Sequence, residues 1–385
     1  MRVLFSTTAG SGHFGPMVPV AQACRDAGHD VKVAAPLSFA ADVAAAGLAH
    51  APFADVAPEL LGPIYGRLFQ LPLEEADRTV MVEIFGRLDA QAALPGLTRI
   101  MAEWRPDVVA REFCEFGSLV AAAKAGIPQV EVAIGLTATA AKALPVVATP
   151  LAELDAIAGL PEGTAYQALA DGPVLSCLPA EVDGEGGARV RRFRDGSLTS
   201  GGGPLPPPWG NEDHPLVYVT FGSVAGRLPP FAGLYRSVLD ALAGEPFRVL
   251  MTTGTAVEPG SLAPVAANAR VEQWWPQASV MPHADVVVGH GGFGTTMMAL
   301  AAGVPQVVVP LFAFDQFMNA ERVAAMGAGV HVDGGPGAAP LLERALAEVL
   351  GDPGYTSNAR RIATAMAELP ELASSVAFIE ELAGR

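Results

Sequence analysis

Short apolar runs, each followed by a helix-like stretch, recur in two series along this 385-residue chain, and no other feature constrains its fold as strongly. In the first series the runs are residues 3–6, 31–35, 108–110 and 129–134; in the second they are 216–221, 247–252, 285–289, 306–310 and 330–332. Runs this short, separated by helices, are the signature of parallel strands buried on both faces. Between the series the rhythm stops over residues 196–214, where Gly201-Gly-Gly-Pro-Leu-Pro-Pro-Pro-Trp209 reads as a linker. A chain of this length exceeds what one hydrophobic core supports. The expectation is therefore an α/β protein of two Rossmann-like, doubly wound parallel-sheet domains facing a cleft. Their bounds are residues 1–200 and 214–370, with a linker at 201–213. A last helical stretch, 371–385, would pack back on the first domain.

Charge narrows the partners. The formal net charge of −16 repels nucleic-acid phosphates and anionic membrane surfaces. The three cysteines, Cys24, Cys114 and Cys177, are widely spaced and odd in number. That suits a reducing compartment and no metal cluster. The N-terminus enters Arg2-Val-Leu-Phe-Ser6 directly, and no run approaches a membrane span, so the expected location is the cytoplasm.

Gly10, Gly12 and Gly15 spell the dinucleotide fingerprint G-x-G-x-x-G directly after the first strand. A helix is expected from about Pro16 to Gly28. A dinucleotide site also needs an acid at the end of the second strand to hold the ribose. That strand ends in Pro36-Leu37-Ser38, with Asp30 before it and Asp42 well beyond it. His13 makes better use of the loop. It lies at the carboxyl edge of the sheet, where open α/β folds bind ligands, and an imidazole there serves as a general base if a carboxylate orients it. A polar loop residue or helix cap is the competing reading.

The second half holds Trp274-Trp-Pro-Gln277, then Asp285-Val-Val-Val-Gly-His-Gly-Gly-Phe-Gly-Thr-Thr296, and finally Phe314-Asp-Gln-Phe-Met-Asn319. A helix beginning after His290-Gly291-Gly292 offers free N–H groups and a positive dipole end to a diphosphate. His290, Thr295 and Thr296 add side-chain donors, and the glycines, Gly294 among them, let phosphate approach. Trp274, beside Trp275, presents a face for a nucleobase or else fills the core. Ser223, in the loop after the first strand of this half, is placed to donate to phosphate. Asp315 and Gln316 suit the hydroxyls of a sugar.

This stretch resembles the nucleotide-sugar signature of the GT-B glycosyltransferases, most closely bacterial enzymes that glycosylate antibiotics and other secondary metabolites. The likeness runs from Gly12-His13 to Asp315-Gln316. It implies His13 as catalytic base, Trp274 on the base of a dTDP- or UDP-linked sugar, His290 and Thr295 at the diphosphate, Ser223 as a further phosphate contact, and Asp315 with Gln316 at the sugar. Relatives place an Asp after the strand at 108–110 as partner of the base; this chain reads Arg111-Glu-Phe-Cys-Glu115, where Glu112 takes that place, with Glu115 or no carboxylate at all as the alternatives. The implied reaction is inverting transfer to a hydroxyl, with no metal and no cofactor beyond the donor.

Residues 52–97 are the longest stretch without strand–helix rhythm and carry Tyr65, Phe69 and Phe85. With Ile134 these are the candidates for an apolar acceptor pocket, against the plainer reading of amphipathic helices packed on the sheet. The expected partners are a nucleotide sugar and a hydrophobic aglycone; a homodimer is compatible. The basic run 189–194 reads as a solvated strand edge. A nucleotide-sugar epimerase on the same fold and an NAD-dependent oxidoreductase are the alternative functions.

Overall fold

The computed structural model describes residues 1–184, 186–200 and 202–384. Gly201 of the expected linker and Arg385 of the expected last segment lie outside these. The chain folds as two compact units, Met1–Asp195 with Leu369–Arg385, and Gly196–Glu368. No helix among the described residues is long and apolar enough to cross a membrane.

The first unit is a seven-stranded sheet built from β1 (Arg2–Ser6), β2 (Asp30–Pro36), β3 (Ala49–Phe53), β4 (Val108–Arg111), β5 (Gln129–Val132), β6 (Val174–Ser176) and β7 (Val190–Arg192). Its order is β3-β2-β1-β4-β5-β6-β7, with parallel neighbours throughout. The second unit repeats the plan with β8 (Leu216–Thr220), β9 (Arg248–Thr252), β10 (Ala269–Glu272), β11 (Val286–Gly289), β12 (Gln306–Val308) and β13 (Gly329–His331), in the order β10-β9-β8-β11-β12-β13. Val3, Leu4 and Phe5 of β1 and every residue of β8 are buried. That continuous burial explains why the strands read as apolar runs without alternation.

In each sheet the order reverses beside the first strand, between β1 and β4 and between β8 and β11. Loops leaving the carboxyl ends of such a pair diverge to opposite faces and open a crevice, the place where open α/β sheets take ligands. Ser6 lies opposite Arg111, and Thr220 opposite Gly289. The loops carrying His13 and Glu112, and those carrying Ser223 and His290, therefore start at matched levels.

Several sequence expectations need correction. Residues 52–97 are helical rather than irregular: Pro58–Leu68, Leu73–Thr79, a π-helical stretch Val80–Asp89, and the start of Ala90–Trp104. Pro63 and Pro95 sit inside these helices and read as breakers in sequence, and Pro52 masks β3. Ala133 and Ile134 fall beyond the end of β5. The first glycine loop begins helix at Ser11, not Pro16, and continues through a 3₁₀ turn into Val18–Asp26. The basic run is edge strand β7, with Arg192 paired to buried Asp183 at 3.2 Å. The final helix, Ala373–Leu382, packs on Val18–Asp26 within the first unit.

Candidate active site

His13 and Glu112 meet across the switch point of the first sheet. Nδ1 of His13 lies 3.2 Å from Oε1 of Glu112, whose side chain is fully buried while the imidazole keeps 22% exposure. Gly10, at φ 146°, turns the chain out of β1, and a Cβ there would lie 3.4 Å from the His13 ring. Glu112 is held from three further directions. It accepts hydrogen bonds from the Thr8 amide (3.2 Å), the Thr8 hydroxyl (3.0 Å) and the Cys114 amide (2.6 Å). Burial pushes its carboxyl up, but the charge and contact of His13 with the two amides outweigh that, and the group stays below the ordinary carboxylate range. The carboxylate is thus ionised and fixed, as a partner that orients an imidazole and stabilises its protonated form must be.

Glu115, the other candidate, is occupied elsewhere. It caps the helix Phe116–Ala125 by accepting from the Ser118 amide (3.0 Å), and it takes the Ser6 hydroxyl at 2.7 Å. Burial raises its pKa. The longer glutamate arm therefore reaches the imidazole from position 112. Donor atoms of His13, Glu112 and Cys114 all lie within 4.8 Å of one another.

The acceptor candidates divide. Phe85 packs on His13, the two ring centroids 5.3 Å apart. Tyr65 and Phe69 are exposed on the helix Pro58–Leu68 and just past it. Ile134 is partly exposed beyond β5, at the carboxyl edge it shares with His13. Gly12 is exposed, with nothing within 4 Å of where a Cβ would stand. One residue was missed: Asp89, the last of the π-helical stretch. Burial raises its carboxyl to about 7, with His13 opposing and Glu112 and Glu115 adding to the rise. Widened helical turns of this kind concentrate at functional sites, but no sequence signal announces one.

The second unit builds its site with the same topology. Gly222, at φ 71° after β8, brings bare backbone against His290 after β11: a Cβ there would lie 2.7 Å from the ring. Gly291, at φ 82°, approaches the Gln316 backbone, where a Cβ would stand 2.6 Å from its carbonyl oxygen. Gly292 precedes the helix Phe293–Ala301 without a side-chain cap, which leaves the first-turn amides to a ligand or to water. Burial lowers His290 to about 4, so its imidazole is neutral, and its buried Nδ1 has no hydrogen-bond partner among the described residues. Thr295 accepts from Gln277 at 3.1 Å, and Gly294 is exposed beside it. Ser223 is exposed in the loop after β8.

Three candidate residues of this unit have structural contacts. Thr296 is 1% exposed and faces the core, because the helix turns it about a hundred degrees from Thr295. Trp275 donates Nε1 to the Pro204 carbonyl (3.2 Å) and packs into the cluster of Leu216, Tyr218 and Met281. Gln316 is buried, and its Oε1 accepts from the Leu311 (2.9 Å) and Phe312 (3.2 Å) amides. Trp274 is 69% exposed, which removes the core-indole reading. Asp315 lies in the first turn of the helix Phe314–Ala325, partly exposed. Asn319, unanticipated, donates to the Gly291 carbonyl at 2.7 Å and holds the glycine turn in place.

Comparison with known proteins places this geometry. The family profile described as "Erythromycin biosynthesis protein CIII-like, C-terminal domain" matches residues 236–382. The chain is 34% identical over 382 residues to the L-demethylnoviosyl transferase of Streptomyces niveus, covering 96% of this chain and 95% of that protein. Among solved structures, it resembles the glycosyltransferase SnogD from Streptomyces nogalater (27% identity, TM-score 0.76, 100% and 99% coverage). It also resembles the Streptomyces sp. SF2575 glycosyltransferase SsfS6 complexed with thymidine diphosphate (28% identity, TM-score 0.72, 99% of each chain). On this similarity, sustained over nearly its whole length, the chain belongs to the antibiotic-biosynthesis glycosyltransferases of the GT-B fold.

Proposed function

We propose that this enzyme transfers a sugar, with inversion, from a thymidine- or uridine-diphosphate donor to a hydroxyl of a hydrophobic natural-product acceptor, without a metal or further cofactor. The observation that carries the reading is the His13–Glu112 contact of 3.2 Å, with the carboxylate buried and ionised and the imidazole still reachable. His13 takes the proton of the acceptor hydroxyl as its oxygen bonds to the anomeric carbon. The bond from that carbon to the phosphate oxygen breaks, and the electron pair leaves with the nucleoside diphosphate. Glu112 stabilises the resulting imidazolium.

The leaving charge is met by the first-turn amides of Phe293–Ala301, by Thr295 and by the neutral His290, groups aimed at a fixed place before the charge develops. Trp274 stacks on the base, Ser223 reaches a phosphate, and Asp315 holds sugar hydroxyls. The thymidine diphosphate in the SsfS6 structure supports a donor of this class. Thermal-shift measurement against a panel of nucleoside diphosphates and their sugars tests the reading. Stabilisation by thymidine or uridine diphosphate is expected; stabilisation by nicotinamide dinucleotides alone overturns it.

A further inference from the structure

Three chemically different metal-ligating side chains converge at the switch point of the first sheet. Nδ1 of His13 lies 3.2 Å from Oε1 of Glu112. A donor atom from each of His13, Glu112 and Cys114 falls within 4.8 Å of the other two. Two nitrogen or oxygen ligands of a tetrahedral zinc, each about 2.0–2.1 Å from the metal, stand about 3.3–3.4 Å apart, and a thiolate at about 2.3 Å stands about 3.6 Å from either. The imidazole and the carboxylate already have the first spacing. The thiol reaches the second with a shift of about an ångström. A metal would take the place of the proton between Nδ1 and Oε1. The Thr8 amide and hydroxyl and the Cys114 amide would stay on the carboxylate as its outer hydrogen-bond donors. Surrounding charge favours a cation: Asp89 and Glu115 lie close enough to interact with Glu112, and the guanidinium of Arg111 stands beside Glu131 at 3.7 Å. The imidazole, 22% exposed, gives an ion its way in.

We propose that His13, Glu112 and Cys114 form an inhibitory site for a thiophilic divalent cation, zinc above all, that locks the imidazole of His13. A mixed sulfur, nitrogen and oxygen set selects zinc over magnesium or calcium, which take oxygen alone. On binding, the Cys114 thiol gives its proton to solvent and its sulfur lone pair to the metal. An imidazole bound through Nδ1 carries its one proton on Nε2, so it cannot accept another from an acceptor hydroxyl. The site itself stands on the three side chains; the inhibition rests on the assignment of His13 as base. The ion takes no part in transfer, in keeping with the metal-free reaction proposed above.

The test titrates the whole chain, freed of metal by chelator, with Co²⁺ and then Zn²⁺. Wild type should take up one Co²⁺ with a near-ultraviolet thiolate-to-cobalt charge-transfer band, and one Zn²⁺ should abolish that band. Cys114→Ser should lose the band and bind zinc at least about tenfold more weakly, the least that a disturbed ligand set costs. Cys24→Ser and Cys177→Ser, whose thiols lie outside the group, should keep it. A second readout follows the imidazole: diethylpyrocarbonate acylates a free ring nitrogen, and mass spectrometry of the peptide containing His13 measures it. Zinc should suppress this acylation in wild type and leave it unchanged in Cys114→Ser at the same concentration; Cys114→Ala serves if the serine variant does not fold. Neither readout involves sugar transfer, so the site and the assignment of the base fail separately. Absence of the band in wild type, an undiminished band in Cys114→Ser, or acylation of His13 indifferent to zinc overturns the proposal.

Discussion

His13 and Glu112, carried on loops that leave neighbouring strands at the same level, stand 3.2 Å apart at Nδ1 and Oε1. The contact joins a side chain open to ligand with one that water cannot reach. Replacing His13 by Ala removes the proposed general base and should lower kcat by about 10² to 10⁴. Calorimetry should show unchanged thymidine diphosphate affinity. Full turnover in the variant would take His13 out of the chemistry.

Glu112 gives a pH-dependent signature in stability. Its folded-state pKa lies below the unfolded value of 4.5, so the unfolded chain binds more protons in that range. The stability it contributes is complete above the unfolded pKa and is lost as pH falls through the folded one. Glu112→Gln should therefore be less stable than wild type by about 1–3 kcal/mol at neutral pH, the scale of buried bonds to a charge. In urea unfolding, the gap should close on acidification below pH 4.5. A gap independent of pH would mean that the charge is not what the fold uses.

The neighbouring tryptophans should separate binding from stability. Trp274→Ala removes an exposed stacking face and should weaken nucleotide binding by about 1–3 kcal/mol with little change in Tm. Trp275→Ala removes the bond to Pro204 and core packing, and should lower stability by about 1–3 kcal/mol. Reversed phenotypes would exchange the two roles.

Two glycines of the proposed donor site should fail in different ways. Gly222→Ala places a methyl 2.7 Å from the His290 ring at φ 71° and should cost about 1–3 kcal/mol of stability as well as donor affinity. At Gly294 nothing lies within 4 Å of an added Cβ. Alanine there should leave unfolding unchanged or slightly improved and weaken nucleotide binding alone, because the methyl enters the space proposed for diphosphate. Undisturbed binding in Gly294→Ala, measured by calorimetry, would move the phosphate away from this helix.

Exhaustive chelation should leave the transfer rate unchanged, since the leaving charge is assigned to helix amides and neutral donors. Loss of activity restored by Mg²⁺ would contradict that assignment.

The apolar runs and their helical spacers were enough, in sequence alone, to define two parallel α/β halves, because strands buried on both faces leave no alternation to misread. The glycine-rich turn before residue 293 and the histidine at position 13 were equally legible, since their chemistry is carried by local residue order. Pairing was not. The choice between Glu112 and Glu115 depended on which carboxylate the cap of Phe116–Ala125 consumed, and the inward turn of Thr296 and Gln316 depended on helical phase against a core assembled from distant strands. Asp89 was invisible because its setting comes from a π-helical stretch that leaves no periodic trace. Side-chain identity follows from the chain itself, whereas desolvation and the competition for hydrogen-bond partners exist only after segments far apart in sequence have packed together.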